Sequence, residues 1–247
     1  MFLSRLLCPD GRPAVILRQG REAAVLKTTP DDPALWVGSE DRLADVILRR
    51  GLGDPVDVEE LSAQGRLLLP VWAGEAVHLP LTVGEMPLPL VQVRPGHPVH
   101  TAPGLTFEGG IAALVRSGDG GAVVGWVQFH LVTSTALGLR QLSFGPELAL
   151  GDDNPGGGGT GVLSAADGRH RSFPLPQTGQ WDGMADPTAP AGALVLRRMS
   201  RWLIRPALAQ GHVSLESRHG GVGLPLRTPL LAMDQPATPE QAMTGPA

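Results

Sequence analysis

Residues 139–153 read Leu139-Arg-Gln-Leu-Ser-Phe-Gly-Pro-Glu-Leu-Ala-Leu-Gly-Asp-Asp153. Two apolar runs here are split by Gly145-Pro146. Proline has no amide hydrogen to donate, so a Gly-Pro pair interrupts a sheet rather than continuing it. The stretch therefore predicts a loop between two short strands. Upstream, the apolar runs Ile111–Val115 and Ala122–Leu131 flank Ser117-Gly-Asp-Gly-Gly121, the composition of a hairpin turn. Downstream, Val162–Phe173 repeats the pattern around Ala166-Asp-Gly-Arg169.

Composition agrees with these local signals. The 247 residues include 33 Gly and 24 Pro, too much punctuation for a helix bundle and suited to many short strands. Hydrophobic residues make up 42% and are spread throughout, so a sizeable core is expected. Only 4% are aromatic and none is Tyr, so that core must be built of Leu, Val and Ala. The expected class is α+β, mainly β.

Formal net charge is −4, and Lys27 is the sole lysine. No basic block carries interleaved aromatics, which argues against nucleic acid as a partner. Cys8 is the one cysteine, so no intrachain disulfide forms, and a cytoplasmic location is expected. No window holds the roughly 18 uninterrupted apolar residues of a membrane helix. The first eight residues lack a basic n-region and a long apolar run, so they are not read as a lipoprotein signal.

At the N-terminal end, Phe2–Leu7, Ala14–Leu17 and Ala23–Leu26 flank Cys8-Pro-Asp-Gly-Arg-Pro13 and Arg18-Gln-Gly-Arg21, a hairpin-like start. Ser39–Arg50 is expected to be a helix. Ser39 is its N-cap, Leu43, Val46 and Ile47 form its apolar stripe, and Gly51 ends it. Val58–Gln64 reads as a shorter helix and Leu67–Trp72 as a buried strand. Ala193–Gln210 has helical spacing through Leu194, Leu196, Met199, Leu203 and Ile204, ended or kinked by Pro206. Asp152–Gly161 reads as a flexible loop and Gln177–Pro190 as turns. Residues 232–247 read as a disordered tail.

Ser143-Phe-Gly-Pro-Glu-Leu148 and Gly221-Val-Gly-Leu-Pro-Leu-Arg-Thr-Pro-Leu230 carry a resemblance. They are similar to segments of the fumarylacetoacetate hydrolase superfamily, in particular its AraD1-like branch, which acts on 2-keto-3-deoxy sugar acids. Ala63-Gln-Gly-Arg-Leu-Leu-Leu-Pro70 resembles a third segment, and Thr228 stands where the family has Asn. The resemblance implies a small α+β unit over residues 1–75 and a fumarylacetoacetate-hydrolase-like mixed β roll over 76–231. It also implies pairing as a homodimer.

Enzymes of that family hold Mg²⁺ or Mn²⁺ through a Glu-x-Glu pair on one strand and a further acid. Alternate strand residues point the same way, so i and i+2 reach one hard cation. The cation chelates a 2-keto acid and stabilises the enolate formed from it. By resemblance Glu108 is the first metal ligand, and Gly110 falls where the second should be. No acid occurs from Gly125 to Pro146, and His130 stands about where the family has Asn. Arg94 matches a basic residue of the family, so Arg94 and His130 are the expected contacts of a small 2-keto acid. No catalytic residue is assigned.

Two readings follow. One is a divergent metal-dependent dehydratase or hydrolase of small 2-keto acids whose metal site is eroded. The other is a noncatalytic family member serving as a binding or partner subunit. His97 and His100 could also gather with His130 around a transition metal. Glu147 reads as an anchor for its loop, and Asp152 and Asp153 as solvated turn acids. Ser143 lacks a Gly-x-Ser-x-Gly setting, and Gly156–Gly159 lack the Lys-Ser/Thr of a phosphate loop.

Overall fold

The computed structural model describes residues 1–27, 49–70, 77–79, 87–102, 105–116, 123–150, 157–177, 194–199, 201–204 and 212–232. The chain is mainly β, and no helix among these residues is long and apolar enough to cross a membrane.

The two longest strands lie at the centre. They are β9 (Thr106–Arg116) and β10 (Val123–Ser134), paired antiparallel along almost their whole length. Both faces of this hairpin are buried. Val127, Phe129 and Leu131 point into one core with Ala112 and Leu114, whereas Trp126 and Val132 point the other way. A strand covered on both faces reads as a near-continuous apolar run, as Gly125–Val132 does.

Each outer edge of the hairpin is satisfied by a broken strand. Along β10 these are β12 (Leu148–Leu150) at its start and β11 (Leu139–Phe144) at its end. Gly145-Pro146 sits at the break, where the Gly145 amide donates to the Gln128 carbonyl at 2.8 Å. Along β9 the broken partner is β15 (Leu194–Arg198) followed by β16 (Trp202–Ile204), bridged by a 2.9 Å bond from the Met199 amide to the Ile111 carbonyl. Breaks of this kind bend a sheet without leaving buried amides unpaired.

The sheet continues through β1 (Phe2–Leu7), which pairs with β12, and then through β2 (Pro13–Gln19), β3 (Glu22–Leu26) and β4 (Leu52–Pro55). The short strands β5 (Leu67–Leu68), β6 (Val77–His78) and β7 (Leu90–Val93) complete a thirteen-stranded sheet. It curls around one core in which Leu3, Val15 and Leu26 meet Phe129, Leu142 and Leu196. The N-terminal strands therefore share a sheet with the central hairpin.

A second sheet has five strands, in the order β14 (His170–Leu175), β13 (Gly159–Ala165), β17 (His212–His219), β18 (Leu226–Ala232) and β8 (Val99–Thr101). Its Leu163, Leu175, Leu215 and Leu230 pack on Phe107, Val132, Trp202 and Ile204 of the first sheet. The helix α1 (Val58–Ala63) is capped by Asp57, whose carboxylate accepts the Glu60 amide at 2.9 Å. It buries Val58 and Leu61 against Leu6, Ile16 and Leu67.

Three expectations change. Leu194–Arg198 and Trp202–Ile204 are strands rather than a helix. Short apolar runs fit both periods, and the open edge of β9 decides in favour of strand. Gly159–Gly161 begins β13 and is not loop; Gly161 is required there because the Phe173 ring occupies the space of a Cβ. The buried strand expected over Leu67–Trp72 ends at Leu68: Leu69 and Pro70 are not strand, and 71–72 lie outside the described residues. Of the helix expected over Ser39–Arg50, Arg49 and Arg50 are helical and the rest lies outside the described residues. The turns at 117–121 and 178–190, most of the boundary region 71–82, Asp152 and Asp153 also lie outside them, as does the expected tail except Ala232, which ends β18 instead.

Glu147 ties the pieces together. Its carboxylate side chain is fully buried and takes two 2.6 Å bonds from Arg18 and one of 2.7 Å from the Leu224 amide. Arg18 in turn lies over the Phe2 ring. One acid thus joins β2, the β11–β12 break and the turn before β18. Arg18→Ala leaves that carboxylate buried without its cation, which is expected to cost about 3–5 kcal/mol. A lowered midpoint in urea unfolding checks this; an unchanged midpoint would show that the pair adds nothing.

Candidate functional site

Glu108 is the third residue of β9, where the expected Glu-x-Glu geometry is present in the backbone. Residues 108 and 110 share a face, and Leu131 of β10 is directly opposite Glu108 in the pairing. The positions that could converge on one ion are therefore Glu108, Gly110 and Leu131, and only the first carries an oxygen ligand. Its carboxylate is buried and already paired. Arg198 Nη1 lies 3.0 and 3.3 Å from its two oxygens, and Arg201 Nη2 lies 3.2 Å from one of them. Arg198 is itself nearly buried, whereas Arg201 is 40% exposed at the bulge between β15 and β16.

This donor set does not fit Mg²⁺ or Mn²⁺. A hard dication needs several oxygen ligands, and here two guanidinium groups occupy the one carboxylate. Among the described residues no group of three His, Cys, Asp or Glu side chains is placed to hold a metal.

His130 lies on the other face of the hairpin. It pairs with Gly109, so its ring points toward the second sheet, away from Glu108. The structure therefore does not bring these two expected site residues together. Gly109 is needed here because a Cβ would collide with the Trp202 ring and the Phe129 carbonyl. Trp202 meets the His130 ring edge-on at 5.5 Å.

Both ring nitrogens of His130 are taken. Nδ1 lies 2.8 Å from the Thr228 hydroxyl and Nε2 lies 2.9 Å from the Ser217 hydroxyl. Ser217 also donates to Gln128 Oε1 at 3.2 Å, and Gln128 Nε2 donates to the Leu224 carbonyl at 2.9 Å. Serine, histidine and a third polar group in a row have the connectivity of a nucleophile and its base. Here every member is sealed from solvent and the ring is a poor base. Desolvation, helped by His219 nearby, lowers the His130 pKa to about 3.

His219 sits two residues beyond Ser217 on the same face of β17. It is buried, and neither ring nitrogen has a hydrogen-bond partner among the described residues. Desolvation lowers its pKa to about 4. Sequence reading missed this cluster. The available signal was the alternation Leu215, Ser217, His219, which places three residues on one strand face.

Arg94 is exposed in the turn after β7, where His97 closes onto its carbonyl at 3.1 Å and Gly96 takes a φ of +75°. Among the described residues no hydrogen bond or ion pair joins it to Glu108 or His130. His100 is joined through its backbone to Gln141, with bonds of 2.8 and 2.7 Å. Ser143 is cross-strand from His130, and its hydroxyl is buried without a partner among the described residues.

The two histidines make stability depend on pH. Their folded pKa values lie below the unfolded value of about 6.5. Above that pH neither state takes up a proton and they contribute no slope. Between pH 6.5 and 4 the unfolded chain binds protons that the native state refuses, so stability falls with pH by up to roughly 1.4 kcal/mol per unit per histidine. Urea unfolding from pH 7.5 to 5.0 checks this, with a shallower slope expected for His130→Asn. A flat profile in the parent protein would contradict the burial of both rings.

Comparison of this chain with protein families, with curated proteins and with solved structures finds no match in any of the three.

Proposed function

We propose that this chain is a noncatalytic binding or partner protein, derived from the AraD1-like branch of the fumarylacetoacetate hydrolase superfamily. In this reading residues 1–75 are its small α+β unit, residues 76–231 its β roll, and the working form a cytoplasmic homodimer. The motifs at 143–148 and 221–230 support the ancestry. The mainly β architecture, with one sheet curled around its own core, agrees with it.

The loss of catalysis rests on one observation: the Glu108 carboxylate is held by Arg198 and Arg201. An acid neutralised by two cations has no charge left for a dication, and Gly110 and Leu131 offer no oxygen to help. Breaking the arrangement is costly, since a buried carboxylate would lose the cations that compensate its charge.

Thermal unfolding with Mg²⁺ or Mn²⁺, each alone and with oxalate as an enolate mimic, tests the reading. No shift beyond that of an equal ionic strength of NaCl is expected. A true site loaded at 100 times its dissociation constant would add roughly 2.7 kcal/mol. A metal-dependent rise of that order, increased by oxalate and lost in Glu108→Gln, would overturn the proposal in favour of a metal-dependent 2-keto acid dehydratase or hydrolase.

A further inference from the structure

The outer face of the second sheet carries a feature that neither Glu108 nor His130 explains. On β17 and β18 the inward residues are Leu215, Ser217, Thr228 and Leu230, so Glu216 and Arg227 point outward as a directly opposed pair. The helix α1 stands across from them. Between the two is a cleft of about 500 Å³, within the roughly 300–1,000 Å³ range of small-ligand sites. Ala63, Leu224, Pro225 and Pro229 give it an apolar lining, and Glu59 stands on the α1 side.

Its lining carries two acids, Glu59 and Glu216, and two arginines, Arg218 and Arg227. Glu216 is bound at 3.0 Å by Arg218, its neighbour along the strand. The same carboxylate faces Arg227 across the strands, so one acid lies between two guanidinium groups. Arg227 makes no ion pair or hydrogen bond among the described residues. It is also framed on its own side of β18 by Pro225 and Pro229, which line the same cleft. Prolines fix the backbone, so this wall is formed before anything binds and little ordering entropy opposes binding.

We propose that this cleft is a binding site for a small monocarboxylic acid with an apolar body, its carboxylate received by the Arg227 guanidinium. The planar fork of arginine matches a carboxylate with two parallel hydrogen bonds. Leu224, Ala63 and the two prolines accommodate the apolar part. Glu59 disfavours a second negative charge, which sets the site against dicarboxylates and phosphorylated ligands. The inference rests on the reading of the chain as a binding protein, and places the ligand away from Glu108.

Isothermal titration of the full chain with acetate, phenylacetate, 4-methyl-2-oxopentanoate, succinate and inorganic phosphate tests it, with phenylacetamide as the uncharged analogue. Affinity should rise from acetate to the two larger acids, and the amide, succinate and phosphate should bind at least tenfold more weakly. Arg227→Gln, an exposed change expected to leave the thermal midpoint intact, should weaken the larger acids at least tenfold. Arg171→Gln at the far edge of the same sheet should not. Absence of binding by every acid, or equal affinity in Arg227→Gln, would overturn the proposal. Metal-dependent turnover would sink the noncatalytic reading while leaving the Arg227 result to be judged by itself.

Discussion

The structure depends on burying the β9–β10 hairpin on both faces. A strand with no wet face and no wet edge must have every amide and carbonyl paired within the protein. One continuous strand on each side would do this, but the chain supplies two broken ones, 139–150 and 194–204. The breaks at Gly145-Pro146 and Met199–Arg201 allow the sheet to curl, and the amides of Gly145 and Met199 carry the hydrogen bonding across. The curl brings β1 to β12 and closes the core in which N-terminal and central residues meet.

The same requirement governs the interior acids. Glu147 and Glu108 are both buried, and each is held by arginine. For Glu147 the partners are Arg18 and a backbone amide, and the outcome is mechanical: three distant segments are fixed to one carboxylate. For Glu108 the partners are two guanidinium groups, Arg198 at the end of β15 and Arg201 just before β16. That compensation stabilises the acid and removes it from metal chemistry. His130 follows a parallel course on the opposite face. Its hydrogen bonds to Ser217 and Thr228 make it a neutral joint between the two sheets.

Much of the fold was legible locally. Gly145-Pro146 announced the break between β11 and β12, and Ala166-Asp-Gly-Arg169 the hairpin of β13 and β14. The periodicity of 194–204 was misleading, because Leu194, Leu196, Met199, Leu203 and Ile204 suit helical spacing, while Leu194 with Leu196 and Trp202 with Ile204 suit strand alternation. Nothing local to that segment reveals that β9 has an open edge 80 residues earlier. The Glu108 site was legible only as positions: the i, i+2 geometry followed from strand alternation, whereas Arg198 and Arg201 lie some 90 residues away in the chain.

The sequence by itself determined the mainly β class, the two long strands of the central hairpin and the break at Gly145-Pro146, because these follow from apolar runs and from the backbone limits of glycine and proline. Tertiary structure decided which residues share a face and which charges meet. Glu108 and His130 were separated by the pairing register, since one step along a strand reverses the direction of a side chain. Arg227 was left facing a cleft because Glu216 is held by Arg218. Both outcomes arise from contacts between segments far apart in the chain, which no local pattern encodes.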